Sequence, residues 1–214
     1  MAEYHKYVFN EKNRQFVGQF ENMYQEEQIK GFDSWHQEDS RKLSRKISHE
    51  ILSRYNFKLI IDIGSGKGDS THLLKKHNNL VVGFDISRTA VSLARSRFPD
   101  IIFEEVDAND INTFTARCED IVSRLGDGID LVYSAECLSY IEQWRKLVES
   151  LSCRTKYLMI VLYIPNNPIG FVKSRTDLEN CIRQYFDIVE LVEIKTTSSI
   201  IIYAQSQKNK YIES

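Results

Sequence analysis

The sequence predicts an α/β fold: a Rossmann-like, seven-stranded, mostly parallel sheet with an antiparallel final strand, helices on both faces and an N-terminal helical lid. Three observations carry this. From Leu59 onward, short apolar runs alternate with stretches of helical periodicity, as a sheet covered on both faces requires. The last two runs, Ile188 to Ile194 and Ile200 to Ala204, are separated only by Lys195 to Ser199, too short for a crossover helix, so they pair antiparallel. The first run passes through Asp62 into alternating glycines, Gly64, Gly66 and Gly68, and then into a helix start.

The elements follow in order. Residues 1–57 are polar and aromatic-rich, with a helix expected from Asn13 to Lys30, a break at Gly31-Phe32-Asp33-Ser34, and a second helix from Asp39 to Arg54. They are expected to form a cap or lid over residues 58–206, leaving 207–214 as a polar tail. Strands are expected at Leu59 to Ile63, Leu80 to Phe84, Ile101 to Val106, Ile129 to Tyr133 and Tyr157 to Tyr163, followed by the final pair. Ser70 to Lys76 opens a helix at the glycine turn, and Ser87 caps another over Arg88 to Arg97. Ile111, Phe114, Cys118, Ile121, Val122 and Leu125 recur at helical spacing, as do Ile141, Trp144, Leu147, Val148 and Leu151. Gly126-Asp127-Gly128 stops the first of these helices. Ser174-Arg175-Thr176-Asp177 is a capping-box variant ahead of a helix reaching about Phe186.

Composition excludes several function classes. A 214-residue chain of formal charge −2 has no large basic field, which disfavours obligate nucleic-acid binding. No apolar run has membrane-spanning length and the N-terminus has no signal-like core, so a cytoplasmic protein with no membrane partner is expected. Cys118, Cys137, Cys153 and Cys181 form no CxxC pair and read as reduced thiols, and no histidine joins a metal-binding motif, so no metal is expected.

Two phosphate-binding loops can be set against the glycine turn. The dinucleotide fingerprint needs a third glycine where Asp69 stands. The P-loop needs Ser or Thr after its lysine and a glycine four residues before the Gly-Lys pair, but Gly68 follows Lys67 and Ile61 holds the earlier position. What remains is Asp-x-Gly-x-Gly-x-Gly ending a buried strand, suited to pressing backbone against a nucleoside or its tail.

From Leu59 to Gln205 the chain resembles the class I S-adenosylmethionine-dependent methyltransferases. Asp62-Ile63-Gly64-Ser65-Gly66-Lys67-Gly68 resembles the family's first motif. Val81 to Ser87, with Asp85 ending the second strand, resembles the second; Phe103 to Ala108, with Asp107, the third; and Asp130 to Glu136 the fourth. The resemblance implies S-adenosyl-L-methionine as cofactor and S-adenosyl-L-homocysteine as product. Asp85, about 20 residues beyond the turn, would accept the ribose hydroxyls. Asp107 would accept the adenine amino group, with Ile86 and Ala108 bracketing the ring. Gly64, Ser65, Gly66 and Gly68 would approach the amino-acid portion, Asp62 would orient the loop or meet the ammonium, and Ser134 would line the site.

The acceptor side carries no strict motif, because in-line methyl transfer depends chiefly on alignment and exclusion of water. Ser134-Ala135-Glu136-Cys137 stands where adenine and glutamine N-methyltransferases carry Asn/Asp-Pro-Pro-aromatic. Ser134 to Ile141 and Ile164 to Phe171 look similar to the acceptor loops of small-molecule enzymes of the Nod-factor N-methyltransferase type and its relatives acting on sugars or polysaccharide precursors. Glu136, as base or amine anchor, and Tyr140 are candidate acceptor contacts. Trp35 could cover the sulfonium or the acceptor, His36 could act as a base, and Arg41 could pair with the cofactor carboxylate. The expected protein is a metal-independent methyltransferase, monomeric or homodimeric, acting at oxygen or nitrogen of a small-molecule acceptor. The alternatives are an RNA or protein acceptor, or a non-catalytic S-adenosylmethionine-binding partner subunit.

Overall fold

The computed structural model describes residues 3–39, 41–125 and 128–208. All seven expected strands form: β1 (Leu59–Ile63), β2 (Leu80–Asp85), β3 (Ile102–Glu105), β4 (Ile129–Ala135), β5 (Thr155–Tyr163), β6 (Phe186–Ile194) and β7 (Ser199–Ser206). They make one sheet in the order β3-β2-β1-β4-β5-β7-β6. β7 runs antiparallel to both neighbours, β5 and β6, while the other pairings are parallel. The order reverses between β1 and β4, so a crevice opens there at the carboxyl ends of the strands.

Alternation along the strands divides the core between two faces. Leu59, Ile61 and Ile63 of β1 join Phe84, Phe114, Trp144, Leu147 and Leu178 on one face; Ile60 joins Leu131, Tyr133, Met159 and Tyr203 on the other. The first face is covered by α6 (Ile111–Leu125), α7 (Trp144–Ser152) and α8 (Arg175–Arg183), the second by α3 (Leu43–Ser53), α4 (Thr71–Leu74) and α5 (Arg88–Arg97). In α7, Trp144, Leu147, Val148 and Leu151 are buried at the spacing of one helix face.

Two cap expectations can be checked directly. Ser87 Oγ accepts from Ala90 N at 3.1 Å, and Ser174 Oγ accepts from Asp177 N at 3.1 Å. The Asp177 carboxylate pairs with Arg145. The helix that Ser174 starts ends at Arg183, because Phe186 is already in β6.

The N-terminal region departs most from expectation. A short helix, α1 (His5–Val8), precedes a loop closed by the Phe9–Phe16 bridge, and α2 spans only Phe20–Lys30 instead of beginning at Asn13. Asn10 and Asn13 turn their carboxamides onto the amides of Lys12 and Gln15, and Gly18 has φ +67°, so residues 13–19 cannot be helical. The Gly31 break is present, in the left-handed region at φ +73°. The helix expected from Asp39 starts at Leu43, since Asp39 is drawn into a local turn with Arg41 N. The helix after the glycine turn is one turn long and ends at Leu74. α3 packs on the sheet through Ile51 and Leu52, whereas Tyr4, Val8, Phe9, Met23 and Tyr24 form a separate cluster with Ala90. Gly126 and Asp127 of the expected turn, and the tail from 209 onward, lie outside the described residues.

Candidate active site

The glycine turn takes the conformation its sequence demands. Gly64 and Gly66 have φ of +78° and +53°, and the amides of Gly64 and Ser65 both donate to Phe84 O, at 2.8 and 2.9 Å. A Cβ on Gly66 would sit 2.3 Å from Gln37 Oε1, so only glycine admits the N-terminal segment this closely. Register sets Asp62 beside Gly83 and Asp85 beside Glu105, which brings the ends of β1, β2 and β3 to one edge.

A cavity opens at this edge. It is lined by Asp62, Gly64, Ser65, Asp85, Ile86, Asp107 and Ala108 on the sheet side and by Phe20, Tyr24, Trp35 and Gln37 on the other. Asp85 spans the turn and the next helix, since Oδ2 accepts from Gly66 N at 2.8 Å and Oδ1 from Ser87 N at 2.9 Å. Burial raises its pKa to about 6 against the opposing pull of those two amides. Asp62 Oδ2 accepts from Thr71 Oγ1 at 2.6 Å, and burial raises this carboxyl to about 7. Asp62 Oδ1 and Ser65 Oγ are buried without a hydrogen-bond partner, so this cavity holds polar capacity that a polar ligand can satisfy.

An outer groove adjoins the cavity. It is lined by Tyr4, His36, Arg41, Tyr163 and the loop from Pro165 to Gly170, and it shares Trp35, Lys42, Ser44, Glu136 and Tyr140 with the inner cavity. Glu136 follows β4 with φ +59°, a conformation rare for a residue with a side chain. Its amide donates to Val161 O at 2.7 Å, and its Oε2 accepts from Tyr163 N at 2.9 Å. Burial raises its pKa, while Lys42 and the Tyr163 amide act in the opposite direction. Tyr140 packs against Trp35, Phe20 and Phe16 with ring centroids 5.2, 5.7 and 5.8 Å apart, forming an aromatic wall.

Residues 61–156, which carry this turn and the strand-end acids, match the family model described as a methyltransferase domain. A methyltransferase domain is thus recognised over residues 61–156. Solved methyltransferases share its fold. The N-methyltransferase NodS from Bradyrhizobium japonicum WM9, in complex with S-adenosyl-L-homocysteine, is 16% identical with a TM-score of 0.65 over 86% of this chain and 98% of that one. Magnesium protoporphyrin IX methyltransferase (ChlM) from Synechocystis PCC 6803, with bound SAM, is 17% identical with a TM-score of 0.59 over 95% and 90%. A putative methyltransferase in complex with the Haloferax volcanii Trm112 methyltransferase activator is 15% identical with a TM-score of 0.64 over 87% and 96%. No curated protein matches the sequence significantly.

The residues singled out from sequence divide by location. Asp62, Gly64, Ser65, Asp85, Ile86, Asp107, Ala108, Trp35, Glu136 and Tyr140 line the inner cavity together. Gly66, Gly68 and Ser134 do not: Gly66 faces Tyr24 and Gln37, Gly68 faces Phe98 and Phe103, and Ser134 is buried within β4 with its hydroxyl unpartnered. His36 and Arg41 line only the outer groove, and the Arg41 side chain is 85% exposed and paired with Asp39 at 3.0 Å. Arg45, one turn further into α3, lines the inner cavity with Ser44 and was missed from sequence. Its signal was faint, a basic residue on the same helix face as Ser48 and His49. No cluster of His, Cys, Asp and Glu able to hold a metal occurs among the described residues, and no described helix is long and apolar enough to cross a membrane.

Proposed function

We propose that the protein transfers a methyl group from S-adenosyl-L-methionine to oxygen or nitrogen of a small-molecule acceptor, of the sugar or polysaccharide-precursor kind, seated in the outer groove. The observation that carries this reading is the wall common to the two cavities. A donor in one and an acceptor in the other would meet beside Glu136, Tyr140 and Trp35. Bound, the cofactor supplies an electrophilic methyl on a sulfonium.

The chain's own residues do the rest. Asp85 would accept from the ribose hydroxyls, Asp107 would accept from the adenine amino group, and Ile86 and Ala108 would flank the ring. The unpartnered Asp62 Oδ1 and Ser65 Oγ would meet the amino-acid portion, and Arg45, which lines the same cavity where Arg41 does not, would pair with its carboxylate. Trp35 and Tyr140 exclude water at the junction. Glu136 accepts the acceptor's proton or anchors its amine, its raised pKa bringing it closer to that of a neutral-pH base. The aromatic wall with amide-bearing Asn166 and Asn167 suits a ring carrying hydroxyl groups. Residues 3–39 act as the lid, while α3 belongs to the helical layer on the sheet.

The test is an acceptor screen with labelled methyl donor on a metabolite pool. Activity that survives nuclease and protease treatment of the pool supports a small acceptor; loss to either enzyme replaces it with RNA or protein. Donor binding without turnover on any pool would make the chain a partner subunit.

A further inference from the structure

Lys67 of the glycine turn, like Gly66 beside it, lies outside the donor cavity and faces the N-terminal segment. Lys67 is 4% exposed. Its Nζ donates to Glu27 Oε1, to Asp33 Oδ1 at 3.1 Å and to Glu38 Oε1 at 3.2 Å, and its backbone amide donates to Gln37 Oε1 at 2.8 Å. Burial alone would lower the pKa of this ammonium, but the bonds to Glu27 and Asp33 outweigh it and raise the value. Glu27, also buried, accepts in addition from Ser34 N at 3.3 Å and from Ser34 Oγ, which ties the turn after α2 to the same point.

The stretch that holds Lys67 is also the cavity wall. Phe20, Tyr24, Trp35 and Gln37 all line the donor cavity, and Gln37 Nε2 donates to Tyr24 OH at 3.0 Å. The near end of the stretch is fastened separately, because Glu21 accepts from Ser87 Oγ at 2.6 Å, Thr89 N at 3.1 Å and Thr89 Oγ1 at 2.6 Å. Within the Lys67 fastening, between Glu27 and Asp33, lies Gly31, left-handed at φ +73°. The attachment on Glu21 is a helix cap, whereas the attachment on Lys67 gathers three carboxylates around one cation. Without that cation the acids repel one another, and Glu27 becomes a buried, uncompensated charge.

We propose that Lys67 is a positioning residue whose clasp on Glu27, Asp33 and Glu38 holds residues 20–38 closed over the donor cavity, so that release of the clasp governs donor and product exchange. This rests on the reading of that cavity as the S-adenosylmethionine site. The side-chain exposures of 7% for Glu27, 28% for Asp33 and 59% for Glu38 order their contributions.

The test uses the full chain with S-adenosylhomocysteine as probe. Lys67→Met is expected to raise amide exchange in residues 20–38 of the ligand-free protein by about ten-fold or more, with β1 and β4 unaffected, and to speed product dissociation by a similar factor. Glu27→Gln should do the same, and Glu38→Gln should stay within about two-fold of wild type, as exposed pairs do. Unchanged exchange in residues 20–38 overturns the clasp; faster exchange with an unchanged dissociation rate overturns the gating. Should Lys67→Met not fold, the double variant Asp33→Asn with Glu38→Gln takes its place, with an intermediate acceleration of both quantities expected and none overturning the proposal. Wild type that fails to bind S-adenosylhomocysteine would overturn the donor reading and with it the gating, while the exchange measurement still judges the clasp.

Discussion

The two halves of the proposed site, the inner cavity read as the donor side and the outer groove read as the acceptor side, are built by different means. On the donor side, the positions of Asp62, Asp85 and Asp107 are consequences of strand register: each ends or follows a parallel strand, and the sheet brings the three to one edge. On the acceptor side, Trp35, Lys42, Glu136, Tyr140 and Tyr163 come from the N-terminal segment and from two separate strand ends, and packing alone brings them together. A scaffold that fixes the donor by register leaves the acceptor wall free to change without disturbing the sheet.

Substitutions on the two sides should therefore fail differently. The largest effect is expected from Glu136→Gln, which keeps the Tyr163 contact but removes the charge: turnover should fall on the order of 10²-fold or more, with donor affinity within about two-fold of wild type. Steady-state rates with calorimetry read both quantities, and a wild-type rate removes Glu136 from the chemistry. Asp85→Ala should instead weaken donor binding by about 2 kcal/mol, roughly 30-fold, since charge-assisted hydrogen bonds are lost. Unchanged calorimetric affinity would sink the ribose assignment. Next, Arg45→Ala should cost donor affinity about ten-fold while Arg41→Ala costs less than about two-fold, a solvated pair contributing little. The reverse order would restore Arg41 as the carboxylate partner.

The smallest effect is pH dependence. Burial holds Asp62 at about 7 and Asp85 at about 6, above the unfolded value of about 4. Between those limits the folded protein binds more protons than the unfolded chain, so these two groups make stability fall as pH rises from about 4 to 7. Thermal melts of the ligand-free protein should show a midpoint a few degrees lower at pH 8 than at pH 5, and Asp62→Asn should shrink the difference. An equal difference in the variant would remove Asp62 as a source.

The same division explains what could be read from the sequence. All seven strands, and the acids Asp62, Asp85 and Asp107 that line the inner cavity, were legible because β1, β2 and β5 are largely buried on both faces and read as near-continuous apolar runs, with an acid in or just after the strand in three cases. The capping serines at 87 and 174 were legible because capping is local. The N-terminal region was not, because its helix limits depend on where Asn10, Asn13 and Asp39 spend their side chains, which periodicity does not record. Lys67 was noted only as a position in the glycine motif and as the lysine that Gly68 keeps from completing a P-loop; its partners lie 29 to 40 residues away, beyond any local pattern. Arg41 was singled out and Arg45 was not, because nothing in the sequence fixed the start of α3 at Leu43, and that start decides which arginine lines the inner cavity.

The antiparallel seat of β7 between β5 and β6 has a consequence for synthesis. Both neighbours leave the ribosome before it, and β6 pairs with β7 but not with β5. Until β7 emerges, β5 presents an unpaired edge and β6 has no place in the sheet. The parallel half from β3 to β5 can assemble while the chain is still being made. The far half must wait for its last strand, and a chain stalled after Ile194 would expose β5 as a template for aggregation.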